Sequence, residues 1–189
     1  MPNWCENEIT WNADFEGEDK VLKFVESENS FFDFEKISPY PEKFALLDKE
    51  YEKWQKGGRV GEAPESGYRE GGYEWCLKNW GTKWNADSIA VDNGVASFLT
   101  AWSPPSPIVR ALSKYFPDLT FTLKYEEGGM DFSGYEIYKN GKLLEEKNGN
   151  FNEFSFTGGS YHCAECDEYF PIEDFDTEKN MCISCRNKT

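Results

Sequence analysis

What this sequence has least of is basic charge: 20 Lys and Arg stand against 35 Asp and Glu, a formal −15 over 189 residues. Residues 158–189 hold 7 acidic and 3 basic residues and the rest of the chain 28 and 17, so neither part is a basic arm. Sequence-independent binding to DNA or RNA depends on neutralising phosphates with Lys and Arg, which disfavours a direct nucleic-acid reader. An anionic membrane surface is repelled for the same reason. Long apolar runs are also missing, with none near the roughly 20 residues that cross a bilayer. The first eight residues, Met1 to Glu8, have no basic n-region and no apolar h-region, so the expectation is a cytoplasmic protein. Histidine is almost absent: there is one, His162. No HExxH, GxSxG, P-loop or dinucleotide fingerprint occurs, and catalysis would have to rest on scattered carboxylates that in so acidic a chain form a solvated face. A binding protein is the expected class.

Aromatic residues are plentiful, and three of the seven tryptophans fall in one stretch, Tyr73 to Asn85. A short helix ending at Gly81 would deliver Trp80, Thr82, Lys83 and Trp84 to a sheet edge. A Lys flanked by aromatics, next to a glycine that lets backbone approach a ligand, suits an anionic or planar partner, and Trp102 is expected nearby. The candidate binding residues are therefore Trp80, Thr82, Lys83, Trp84 and Trp102, weighed against a plain core role for Trp75 and Trp80. Before this stretch, residues 57–72 contain six glycines and one proline and read as a mobile loop. Their spacing matches no phosphate-cradling pattern. Cys5 and Cys76 have no partner motif and read as buried apolar thiols.

Periodicity predicts strands over residues 3–11 and roughly 31–37 around a helix at 18–27, then an amphipathic helix carrying Phe44, Leu47, Tyr51 and Trp54. Strands at 88–92 and 95–102 join through Asn93-Gly94, a dipeptide that supplies the positive φ of a type I′ turn. Ser106-Pro107 opens a helix that Pro117 stops. The alternating strand from Leu119 to Glu126 follows, and Asn140-Gly141 predicts another hairpin. This order is that of an α+β, ferredoxin-like fold: an antiparallel sheet with helices on one face. The expected domain spans 1–157, with a helical and Gly-rich insertion at about 39–85.

Four motifs occur in order: Met1-Pro2-Asn3-Trp4-Cys5, Ile37-Ser38-Pro39-Tyr40-Pro41, Asn79-Trp80-Gly81-Thr82-Lys83-Trp84 and Thr100-Ala101-Trp102-Ser103-Pro104-Pro105. Over about residues 1–145 the chain resembles the Api92-like/YubB group of phage and plasmid proteins. The resemblance implies a ferredoxin-like domain and a mobile-element origin, without an activity. The cysteine-rich tail lies outside that pattern.

In the tail, Cys163-Ala-Glu-Cys166 and Cys182-Ile-Ser-Cys185 are separated by 15 residues. Two CxxC knuckles at this spacing make a structural zinc site, so residues 158–189 are expected to form a small zinc-ribbon-like module with zinc as cofactor. Tyr169, Phe170, Pro171 and Phe175 would supply its few apolar contacts. Four thiolates leave no open position for water, and His162 beside Cys163 is poorly placed to be a ligand. The function expected from these features is that of a non-catalytic acidic binding protein of a phage or mobile element. It would engage a host protein, counter-defence or mimicry of nucleic acid being one form. The alternative is a small-ligand binder that holds a nucleotide-like anion in the aromatic and Lys pocket.

Overall fold

The computed structural model describes residues 3–92, 94–156, 161–163, 165–166, 168–170, 175–176, 179 and 181–187. Strand β1 (Trp4–Trp11) alternates as its sequence demands, with Cys5, Asn7, Ile9 and Trp11 buried and the intervening residues more exposed. Helix α1 (Phe15–Val25) begins where the Asp14 carboxylate accepts the Gly17 N–H at 2.9 Å, and it buries Val21 and Val25 one turn apart. Strands β2 (Asp87–Asp92) and β3 (Val95–Ala101) follow. Asn93 lies outside the described residues, while Gly94 has the positive φ, 75°, expected of the turn. Helix α5 (Ser106–Tyr115) faces Ile108, Val109 and Leu112 inward. Strands β4 (Thr120–Glu127), β5 (Phe132–Lys139) and β6 (Lys142–Gly149) complete the sheet, with Asn140 and Gly141 at φ 49° and 72° between the last two.

The six strands lie in the order β2-β3-β1-β4-β5-β6, and every neighbouring pair is antiparallel. The N-terminal strand is thus central. The connection from β1 to β2 passes over β3, and the connection from β3 to β4 passes over β1 through α5. These two interlocked split β-α-β units define a ferredoxin-like α+β fold, which β5 and β6 extend beyond β4.

The second strand expected at 31–37 is not there. Phe32 and Phe34 are both buried, which mimics a strand's period of two. The Asp33 carboxylate, however, accepts the Glu35 N–H at 2.9 Å and caps the one-turn helix α2 (Phe34–Ile37), in which Ile37 is the next buried side chain, three residues on. Its rings still close the core: Phe32 stacks on Phe98 at 5.2 Å, and Phe34 meets Phe98 edge-on at 5.8 Å. The first crossover is consequently long and includes α1, α2, α3 (Glu42–Lys56) and α4 (Tyr73–Asn79). One short helix, α6 (Phe151–Phe154), covers the opposite face of the sheet. There Phe154 lies edge-on to Tyr135 and the Phe156 N–H donates to Glu126 at 2.8 Å.

The glycine-rich stretch is less free than its composition predicts. Asp48 on α3 accepts the Ser66 hydroxyl at 3.0 Å and the Tyr68 N–H at 2.9 Å, and its other oxygen takes the Tyr40 hydroxyl at 3.1 Å. Gly67 and Gly72 are buried so closely against the Phe44 backbone and the Tyr40 hydroxyl that a Cβ on either would overlap them. Glycine is required here by close approach as well as by flexibility.

Replacing residues 58–65 by a Gly/Ser linker should leave stability almost unchanged, because a surface loop tolerates such exchange. Gly67→Ala should instead cost about 1–3 kcal/mol, the usual penalty for overpacking, measured as a lower urea midpoint.

Candidate aromatic and cysteine sites

Two of the sequence motifs fold as one bracket. Helix α4 ends at Asn79, and Gly81, at φ 83°, reverses the chain with its N–H donating to the Cys76 carbonyl at 3.2 Å. A Cβ at Gly81 would stand 2.6 Å from Pro107 Cδ and 2.9 Å from the Pro104 carbonyl oxygen, so no other residue fits. The Thr82 hydroxyl then donates to the Ala101 carbonyl at 2.9 Å, and the Ser103 hydroxyl donates back to the Gly81 carbonyl at 2.6 Å. The remaining two motifs join the same bracket. The Trp80 indole N–H donates to the Ser38 carbonyl at 2.8 Å, and the Trp102 N–H to the Asn3 carbonyl at 3.0 Å.

Of the five candidate binding residues, three come together at the surface. The Lys83 ammonium lies 4.0 Å from the Trp84 ring centroid and 5.4 Å from that of Trp102. Both tryptophans are 43% exposed, so neither is held by core burial. Trp80 and Thr82 do not reach the surface. Trp80 is enclosed by Phe34, Tyr40 and Trp75, and the Thr82 hydroxyl is used inside the protein, so both position the bracket rather than contact a ligand.

Trp102 also has a positive φ, 76°, a conformation that costs a bulky L-residue roughly 1–2 kcal/mol. The hydrogen bonds of Asn3, Thr82 and Ser103 on either side of it hold the chain there. Beside it opens a cavity of about 670 Å³ lined by Tyr68, Arg69, Tyr73, Glu74, Lys83 and Trp102. Tyr68 meets Tyr73 edge-on at 5.5 Å, and burial pushes its hydroxyl up to about 12, so it stays a neutral hydrogen-bonding group. Two cations and three aromatic rings against one carboxylate reverse the sign of the surrounding surface. Such a lining can stack a planar group and pair with a negative charge on it. Tyr68 and Arg69 escaped the sequence reading because they belong to the glycine-rich stretch, and Tyr73 because it stands at the edge of the Trp-rich one. The Tyr68-Arg69 pair was the available signal.

The four tail cysteines also converge. Cys163 ends β7 (Tyr161–Cys163), which pairs with β8 (Glu168–Phe170), whereas Cys182 ends β10 (Met181–Cys182), which pairs with β9 (Phe175–Asp176). Cys185 lies on α7 (Ile183–Arg186). The sulfurs of Cys163, Cys166, Cys182 and Cys185 lie within 4.8 Å of one another and could hold a metal ion. The Cys182 sulfur already accepts the Cys185 N–H at 3.3 Å, the knuckle geometry that steadies a thiolate. Backbone donors, that of Cys182 first, pull the Cys163 thiol down to about 6, while hydrogen bonding to the neighbouring sulfur of Cys182 raises Cys185 to about 12. Pro171 and the side chains of His162, Tyr169, Phe170 and Phe175 lie outside the described residues. Cys5 and Cys76 are buried in the main core, where desolvation pushes their thiols up to about 12 and about 11 and leaves them unreactive.

The sheet order and the bracket define a ferredoxin-like protein with a surface aromatic site, and the comparisons name the family. Residues 79–176 match the model described as the ferredoxin-like domain in Api92-like protein; this is more than half of the chain, which belongs to that family. The matched span includes both motifs of the bracket but not β1, the strand that fills the centre of the sheet. Among solved structures, the fold is similar to the crystal structure of a protein api92 from Yersinia pseudotuberculosis, with a TM-score of 0.50 and 11% identity over 82% of this chain and 100% of that one. At that identity the likeness is one of fold alone. A search of curated proteins gives no match. No described helix is long and apolar enough to cross a membrane.

Trp102→Gly should remove the backbone strain and leave stability equal or higher by up to about 1 kcal/mol, whereas Trp80→Ala should cost about 3–5 kcal/mol. Urea denaturation of the two variants checks both.

Proposed function

We propose that this chain is a non-catalytic binding protein of a phage or related mobile element, that the Lys83, Trp84 and Trp102 bracket takes a planar anionic ligand of nucleotide-like type, and that the cysteine segment binds zinc. The observation that carries the ligand reading is Trp102: an exposed tryptophan held at a positive φ contributes little to stability and forms a wall of the main aromatic cavity. Lys83 and Arg69 would meet the anionic group, with Trp102 and Tyr73 as stacking surfaces. A second reading, engagement of a host protein, including mimicry of nucleic acid, is supported by the formal −15.

For the metal, zinc–sulfur bonds of about 2.3 Å in a tetrahedron place sulfurs about 3.8 Å apart. The Cys166 and Cys182 sulfurs stand at 3.9 Å, which fits. Zinc on four thiolates leaves a net −2 at the site, keeping the segment acidic. It would also supply stability that so short a segment cannot draw from an apolar core.

Tryptophan-fluorescence titration with AMP, GMP and inorganic phosphate tests the ligand reading. A nucleotide should quench the signal where phosphate does not, and both Trp102→Ala and Lys83→Met should weaken binding at least about tenfold, or about 1.4 kcal/mol. No response to any of the three at about 1 mM, a Kd worth only about 4 kcal/mol, would refute it. For the metal, native mass spectrometry of protein purified under reducing conditions should find one zinc ion. The ion should be lost in the Cys182→Ser, Cys185→Ser double variant, with the sheet of the main domain unchanged by circular dichroism.

A further inference from the structure

Along the outer edge of the strand that follows the aromatic bracket lies a second arrangement of groups, which shares no lining residue with the aromatic cavity. Strand β2 is a terminal strand of the sheet, paired with β3 on one side and, among the described residues, with no strand on the other. Beside that edge Phe31 is 64% exposed, a large apolar side chain that the core does not use. It separates two hollows. One, of about 240 Å³, is bounded by Leu22, Glu26, Phe31 and Val91, and is mainly apolar. The other, of about 640 Å³, runs past Phe31 to Ile89 and holds three carboxylates, those of Asp33, Glu35 and Asp87.

Hydrogen bonds hold two of these carboxylates. Asp33 accepts the Asn85 amide at 2.7 Å and the Glu35 N–H at 2.9 Å, and Asp87 accepts the Ser88 hydroxyl at 2.9 Å. Among the described residues, none of the three forms an ion pair. Lys49 is close enough to temper Glu35, yet burial and the Asp33 charge still hold that carboxyl above its ordinary range.

Ile89 and Val91 lie two residues apart on the same face of β2, each partly buried against the core. One hollow is bounded by Val91 and the other by Ile89, alternate residues that lie about 6.6–6.8 Å apart in an extended chain. We propose that the outer edge of β2 and the hollows flanking Phe31 form a docking site for a short extended segment of a partner protein, carrying an apolar side chain and a Lys or Arg two residues apart. The apolar side chain enters the hollow beside Val91 and the cation the hollow beside Ile89, while the backbone adds to the free edge of β2. Charge selects this occupant over a second copy of the chain, which would bring another −15 to an already acidic edge. The bulge between Asp87 and Ala90, with Ser88 at φ 50°, interrupts the regular edge and limits pairing to a short segment. This inference stands apart from the aromatic pocket, whether or not that pocket holds a ligand.

The test uses the full chain and dye-labelled, capped hexapeptides of threonine in which Leu and Arg are separated by one Thr. Fluorescence anisotropy should detect binding of this probe and at least tenfold weaker binding of two control probes, one with Glu for Arg and one with Ala for Leu. Phe31→Ser, and separately Glu35→Gln with Asp87→Asn, should each weaken the Leu/Arg probe at least tenfold. Trp102→Ala should leave its affinity unchanged. All of these side chains are exposed, so circular dichroism should show each variant folded. Equal affinity for all three probes, which is non-specific adsorption, would overturn the proposal, as would equal affinity for the Leu/Arg and Ala/Arg probes alone, which is adsorption by net charge. So would no binding at millimolar probe, no effect of the edge variants, or a dimer in sedimentation that Phe31→Ser abolishes, which would identify a second copy as the occupant.

Discussion

The structure depends on a bracket tied by hydrogen bonds between side chains and main-chain carbonyls that are distant in sequence. Thr82 reaches Ala101, Ser103 reaches Gly81, and the Trp80 indole reaches Ser38. Each bond satisfies a carbonyl or side chain near the core whose loss would leave a partner unpaired at a cost of about 1–3 kcal/mol. Together they fasten the end of the long first crossover to the end of β3, and so set where β2 can begin. Asn7 adds a second tie, its amide donating to the Thr100 hydroxyl at 2.8 Å inside the sheet. The four sequence motifs meet because they are the contacting parts of this one bracket.

A bracket built for stability alone would not need Trp84 and Trp102. The polar ties and the burial of Trp80 close the structure, and the two exposed rings add surface that water could cover with smaller residues. Their cost is visible in the positive φ of Trp102. The rings and Lys83 are held at fixed separation by the same bonds that secure the fold, which preorganises the site at little further loss of side-chain entropy. The cation between two indoles is the internal counterpart of the interaction a charged planar ligand would complete. The acidic hollow along β2 shares no lining residue with the aromatic cavity, so the two surfaces can carry different partners.

The tail follows another logic. A segment of some thirty residues cannot bury enough apolar surface to order itself, and what its described residues bring together is four sulfurs. Its likeness to the rest of the chain is only its negative charge.

Read without coordinates, the sequence determined the strands whose polar and apolar residues alternate, the hairpin turn at Asn140-Gly141, helix α5 and the spacing of the cysteines. These are local signals: a period of two, a pair of residues that accept positive φ, a proline at a helix start, two CxxC knuckles. It also marked Lys83, Trp84 and Trp102, since a dense aromatic motif on a helix end is legible wherever it packs. Only the tertiary structure decided that the second expected strand gives way to a helical turn at residues 34–37, where Asn85 accepts the Phe34 N–H at 2.9 Å and donates to the Asp33 cap at 2.7 Å. It alone decided that Trp80 and Thr82 face inward while their neighbours face out, and that Tyr68 and Arg69 leave the glycine-rich stretch to line the cavity. The last two outcomes rest on Asp48, Ser38 and Ala101, partners between 19 and 42 residues away from the groups they bind, and no local pattern specifies which carbonyl or carboxylate a side chain will find.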